Sequence, residues 1–219
     1  MKPDYKKLYK IVCDLFIKSK HFDHGHWDET FFTMRVFEWC KKLIRRTSIK
    51  VNEEVVLVAA LFHDVGKSEL NTLKKIKTDW EKHPLLGARI TERILREQGF
   101  DDAFINKVVY LVKHHDDKPH KIKMRRTNEL MILQDADLLA DMGLVGVVRP
   151  FLYSGKMKRP TIENINYMRD ALKYNSFLSE HALDSLNLEE SKRIAKELLK
   201  KSTGLIKEIV KLTDSELLK

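Results

Sequence analysis

The sequence predicts an all-α protein. Glycine (8) and proline (5) are scarce among 219 residues, while lysine, glutamate and leucine abound, a helix-forming balance. Apolar residues recur at three- and four-residue spacing along the chain, and no segment keeps the two-residue alternation of a strand. No internal repeat interrupts this pattern.

A first helix is expected from about Asp4 to Lys18, with Leu8, Val12, Leu15 and Phe16 on one face. The stretch Ser19–Gly25 breaks the period. A second helix starts near Asp28 and turns Phe32, Val36, Trp39 and Leu43 inward. Asn52 is the expected N-cap of a third, with Glu53 and Glu54 in its first turn. The body of that helix, from Val55 to Phe62, is apolar all round, which predicts the buried central helix. Gly66 is expected to end it in a left-handed turn.

Pro84 opens a helix through Ile90, Ile94 and Leu95 that Gly99 stops. Another helix runs from about Asp101 to His115, and a loop with Pro119 follows. Thr127 or Asn128 caps the next, which reaches Met142-Gly143. Two further helices are expected, about Thr161–His181 and Leu188–Leu212. The whole chain, 1–219, reads as one helical domain, with a core at about 20–150 and a C-terminal helical extension at about 160–213. A chain of this length buries roughly 70–75% of its unfolded surface and needs no covalent staples.

The net charge of +9 is spread over nearly every segment, as on solvated helix faces, yet favours an anionic partner such as a phosphate ester. No zinc-finger spacing and no basic stripe interleaved with aromatics is present, so nucleic acid is not expected. Neither is a membrane, since no apolar run approaches 18 residues. The two cysteines, Cys13 and Cys40, suit small hydrophobic packing in a reducing, cytoplasmic compartment. A homo-oligomer is compatible with all of this.

The chemistry concentrates at Leu61-Phe62-His63-Asp64-Val65-Gly66-Lys67. A histidine and an aspartate at the end of so apolar a segment are costly unless paired or coordinated. Taken alone, the dipeptide also fits a core histidine beside a capping aspartate. Other ligand types occupy inward positions elsewhere. His83 shares a stripe with Gly87, Ile90 and Ile94, and Gly87 would admit a second helix closely. His114 and His115 end a helix whose inner face is Ile105, Val108 and Val112. Asp137 lies among Leu130, Leu133, Ala140 and Leu144. Each has a structural explanation singly. Together they form a histidine and carboxylate set without thiolates, suited to iron, manganese, cobalt, zinc or magnesium.

The order His63-Asp64-Val65-Gly66-Lys67, His83-Pro84-Leu85-Leu86-Gly87, His114-His115 resembles the HD-domain superfamily of metal-dependent phosphohydrolases, in the branch that includes the HD-GYP phosphodiesterases. Gln134-Asp135-Ala136-Asp137-Leu138-Leu139, followed by Gly143 and Arg149, is similar to small stand-alone HD hydrolases. The resemblance spans about Asp23 to Arg149. It implies a helical bundle around one to three divalent ions held by His63, Asp64, His83, His114, His115 and Asp137. It also implies a small phosphorylated substrate, nucleotides included, with Asp64 and Lys67 catalytic and Lys67 and Arg149 against the substrate. A bound cation lowers the pKa of its water from about 15.7 toward 7, which supplies the nucleophile. Asp64 is the natural bridge between ions, and Asp135 and Asp141 are candidate acceptors for the ligand histidines.

Two departures stand out. Asp116-Asp117-Lys118-Pro119-His120 contains no Gly-Tyr-Pro, so cyclic-dinucleotide specificity does not carry over. The family's first ligand histidine sits three residues before an Arg-Val pair, where this chain has Phe32 before Arg35-Val36. Glu29, about one turn (~5.4 Å) earlier, is the first candidate replacement, then His26, then His24. An HD-fold di-iron oxygenase and a non-catalytic module that binds a phosphorylated ligand are the competing readings.

Overall fold

The computed structural model describes residues 2–19, 29–70, 80–119, 121–149 and 183–215. They form α-helices and two 3₁₀ turns, with no strand among the described residues. The first helix, α1 (Tyr5–Ile17), starts at Asp4, whose side chain accepts a hydrogen bond from Lys7 N–H. Helix α2 (Glu29–Arg46) buries Phe32, Val36 and Leu43. Trp39, expected inside, is only half-buried, and Lys42 Nζ stands 4.2 Å from its ring centroid. A wide ring beside a long cationic stem is covered by that stem as well as by the core.

Helix α3 (Glu53–Phe62) is the centre of the molecule. Asn52 caps it by accepting from Val55 N–H, and every residue from Val55 to Phe62 is buried. Helices α1 and α2 pack on it, as do α5 (Asp102–His114) and α6 (Asn128–Ala140). Full burial of a side chain such as Leu61 or Phe62 contributes about 1.5–3 kcal/mol. The chain then leaves α3 through His63 and Asp64 into a 3₁₀ turn, Val65–Glu69.

Gly66 does not take the left-handed conformation expected of it; among the described glycines only Gly99 and Gly143 have positive φ. Its role is space. A Cβ there would overlap His83 O and lie 2.5 Å from Gly87 N. Gly87 has the role predicted for it, because its own added Cβ would meet Val112 Cγ1 at 3.2 Å and Gly66 N at 3.3 Å. The pair lets the turn after α3 lie directly on α4 (His83–Glu97), which carries proline in its first turn and ends before Gly99 (φ 80°).

Asp101 caps α5 by accepting from Phe104 N–H, and Thr127 caps α6 by accepting from Leu130 N–H. Leu144, placed by its spacing on the stripe of Asp137, is 54% exposed, because α6 stops at Ala140 and Gly143 (φ 76°) redirects the chain. The C-terminal helix α7 (Glu189–Ser215) rests on α6 and α2. The expected helix at about Thr161–His181 lies outside the described residues.

Candidate metal centre

Helix ends converge on one point. His63 and Asp64 follow α3, His83 opens α4, His115 follows α5, and Asp137 lies in the last turns of α6. His63, Asp64, His83 and His115 are each buried to 5% exposure or less. Hydrophobic packing of the helices therefore brings polar groups together that water does not reach.

Asp64 divides its two oxygens. Oδ1 lies 3.2 Å from His83 Nε2 and 3.5 Å from His115 Nε2. Oδ2 lies 3.3 Å from His63 Nε2 and 2.7 Å from Lys67 Nζ. His83 Nε2 and His115 Nε2 are 3.1 Å apart. Among the described residues, Asp64, His83 and His115 are the group whose ligand atoms all lie within 4.8 Å of one another. Asp137 stands beside them, with Oδ1 3.8 Å from His63 Nε2.

Backbone carbonyls orient the imidazoles. His63 Nδ1–H donates to Ala60 O at 2.8 Å, and His115 Nδ1–H donates to Val112 O at 2.7 Å. Each bond leaves the lone pair on Nε2, aimed inward, as a metal-ligating histidine requires. Asp135 and Asp141 do not serve as these acceptors. Asp135 takes Asn187 N–H and Leu188 N–H at 2.8 and 2.9 Å, and so caps α7; Asp141 binds Arg149 Nη1 at 2.6 Å.

Opposite charges at the centre offset the cost of burying it. Burial opposes ionisation of Asp64, but Lys67 and His63 outweigh it and hold the carboxyl well below the usual carboxylate range. Burial likewise opposes charge on His63, yet Asp64 and Asp137 raise its pKa. His115 is pushed down by burial and by the neighbouring His83. Among the described residues His63 Nε2 is buried and has no well-aligned hydrogen-bond partner, although Asp64 Oδ2 lies 3.3 Å away, a cost unless something else binds it. Imidazole nitrogens and carboxylates without thiolate fit a divalent cation with open coordination positions.

The remaining predicted residues are placed as follows. His114 turns toward Asp117, its Nδ1 2.7 Å from Oδ2, and its ring lies 4.7 Å from that of Tyr110. Lys67 is 8% exposed and lies against Asp64. Arg149 lies over the Phe32 ring at 4.2 Å, and that ring is 6.2 Å from the His63 ring. His24 and His26 lie outside the described residues, as does the side chain of Glu29.

Sequence reasoning missed Lys118. Its ammonium is bound to Asp137 Oδ2 at 2.5 Å and lies 3.4 Å from Asp116 Oδ1. The loop that carries it is clamped. Gln134 Nε2 donates to His114 O and Asp117 O, and Arg126 donates to Asp117 O, Ile122 O and Met124 O.

The HD domain family model matches residues 33–142. Solved structures share the fold over nearly the full length. A predicted HD superfamily hydrolase from an uncultured Thermotogales bacterium is 21% identical, with TM-score 0.63, over 95% of this chain and 92% of that one. Bacillus subtilis YpgQ in complex with ADP is 17% identical, with TM-score 0.66, over 97% and 98%. An HD-superfamily hydrolase from Bacillus thuringiensis is 19% identical, with TM-score 0.60, over 97% of each. No curated protein matches the chain.

Proposed function

Because this chain belongs to the HD domain family, we propose that it is a metal-dependent phosphohydrolase acting on a small phosphomonoester or phosphodiester. Asp64, His83 and His115 are the residues that would hold the metal, with His63 and Asp137 lining the site beside them. The observation that carries this reading is the division of Asp64, one oxygen toward His83 and His115 and the other toward His63.

A bound divalent cation supplies an activated water near neutral pH and polarises a phosphoryl oxygen. The protein's own groups do the rest. The carbonyls of Ala60 and Val112 hold the Nε2 lone pairs of His63 and His115 inward. Lys67, anchored on Asp64, offers positive charge where a phosphate gains charge in the transition state. Arg149, held by Asp141, would add a guanidinium contact to the phosphate beside the Lys67 ammonium. His114 would join the ligands only through Nε2, since Nδ1 is engaged by Asp117.

Nucleotides are the first substrate class to test, because a similar fold was solved with ADP and the net charge is +9. Among the described residues no helix is long and apolar enough to cross a membrane. The test is turnover of p-nitrophenyl phosphate, its bis-ester and a nucleotide panel by metal-stripped protein reloaded with manganese, cobalt, iron, zinc or magnesium. Metal-dependent hydrolysis supports the reading. Tight binding of those ligands without turnover would favour the non-catalytic module, and oxygen consumption would favour the oxygenase.

A further inference from the structure

We propose that the centre takes a metal ion in one half only, and that the Lys118 ammonium stands where a second cation would otherwise sit. The inference rests on the metal-dependent reading above and specifies its form.

Asp64 separates two half-sites. On the Oδ1 side are His83 Nε2 at 3.2 Å and His115 Nε2 at 3.5 Å, two imidazoles and one carboxylate oxygen whose ligand atoms lie within 4.8 Å of one another. The Oδ2 side has three donors of its own, His63 Nε2, Asp64 Oδ2 and Asp137. Both of its carboxylates already carry an ammonium. Lys67 Nζ is 2.7 Å from Asp64 Oδ2, and Lys118 Nζ is 2.5 Å from Asp137 Oδ2. With Asp116, which also faces Lys118, three carboxylates stand against these two ammoniums, so most of the negative charge is already offset, and an ion there would face both ammoniums at short range.

The fourth wall of that half is Phe32, 5% exposed, with its ring 6.2 Å from the His63 ring. A phenyl group offers no lone pair. Arg149, itself paired with Asp141, lies over its face at 4.2 Å.

Lys118 is built in rather than passing through. Its side chain is 8% exposed, and it bridges Asp137 and Asp116. The backbone on either side is fixed: Lys118 O accepts from Lys121 N–H and Ile122 N–H, and Asp117 O accepts from Gln134 and Arg126. Withdrawing the ammonium to admit an ion would leave it without its carboxylates in a buried setting, a costly exchange.

The experiment is a metal count on the full chain. Metal-stripped protein is titrated with cobalt(II), followed by calorimetry and by the visible absorption of bound cobalt, then desalted for elemental analysis. Wild-type protein should saturate at one ion per chain. The Phe32→His/Lys118→Gln double variant removes the ammonium charge, keeps a hydrogen-bond donor for Asp137 and supplies an imidazole; it should take two. Two ions on wild-type protein would overturn the inference, leave metal dependence standing, and point to Glu29 or His26 as the added donor. A double variant that keeps its helical circular dichroism yet stays at one ion would also overturn it. No ion on wild-type protein would overturn the metal-dependent reading itself, and the inference with it. The wild-type count stands even where the double variant does not fold.

Discussion

Gly66 and Gly87 meet backbone to backbone: a Cβ on Gly66 would overlap His83 O and stand 2.5 Å from Gly87 N. That contact places the turn bearing His63 and Asp64 against the helix that begins with His83. Gly66→Ala must push α4 away, because the obstacle is backbone and not a flexible side-chain tip. The expected loss is about 1–3 kcal/mol, the usual cost of overpacking, together with weaker metal binding as His83 moves from Asp64. Urea unfolding of the metal-free variant checks the first part; an unchanged midpoint would mean that the turn has room to yield.

Asp135 and Asp137 are two residues apart on α6 and have separate tasks. Asp135 caps α7 through Asn187 N–H and Leu188 N–H, whereas Asp137 faces His63 and Lys118. Asp135→Ala should cost about 0.5–2 kcal/mol, as loss of an N-cap does, and leave metal content unchanged. Asp137→Ala leaves the Lys118 ammonium without its main partner beside the centre and should lower metal affinity through that charge, not through a lost ligand. Equal metal loss in both variants, measured by elemental analysis, would refute the division.

Lys67→Ala should keep its metal and lose turnover. Loss of one charge-assisted contact costs on the order of 1.5–3 kcal/mol, or about 10–150-fold in rate if the contact forms chiefly in the transition state. Steady-state kinetics with metal content measured on the same sample separates the two effects. Unchanged kinetics would confine Lys67 to its ion pair with Asp64.

Acid should destabilise the metal-free protein partly through Asp116. Burial opposes its charge, but Lys118, His115 and Lys121 outweigh burial and hold it below the ordinary value of 3.8. A carboxyl depressed in the folded state binds its proton more readily when unfolded. Its stabilisation is therefore complete above the unfolded value and is lost as pH falls through the folded one. Asp116→Asn should show a shallower loss of stability below about pH 4 than wild-type protein; parallel acid limbs in denaturant unfolding would count against this.

Much of the framework was legible because local rules and packing agree. Asn52 caps α3 as its side chain predicts, the uniformly apolar run Val55–Phe62 is the buried helix, and Gly99 ends α4 with positive φ. The convergence of His63, Asp64, His83, His115 and Asp137 follows from ligand types placed on inward stripes. What was illegible depends on partners far along the chain. Gly66 reads as a turn former until His83 O is seen above it. Lys118 reads as one more surface lysine until the Gln134 and Arg126 clamp aims it at Asp137. The acceptors for His63 and His115 are backbone carbonyls, which no side-chain pattern announces, so Asp135 and Asp141 took that place in the sequence reading.

The central claim is that Asp64 organises a metal centre, and metal content of Asp64→Ala against wild-type protein tests it most directly. Asp64 touches His63, His83, His115 and Lys67 at once, so its removal deprives both halves of their shared carboxylate. Elemental analysis of the reloaded, desalted proteins should find most of the metal lost in a variant that keeps wild-type helical circular dichroism. Wild-type metal content in that variant would contradict the account.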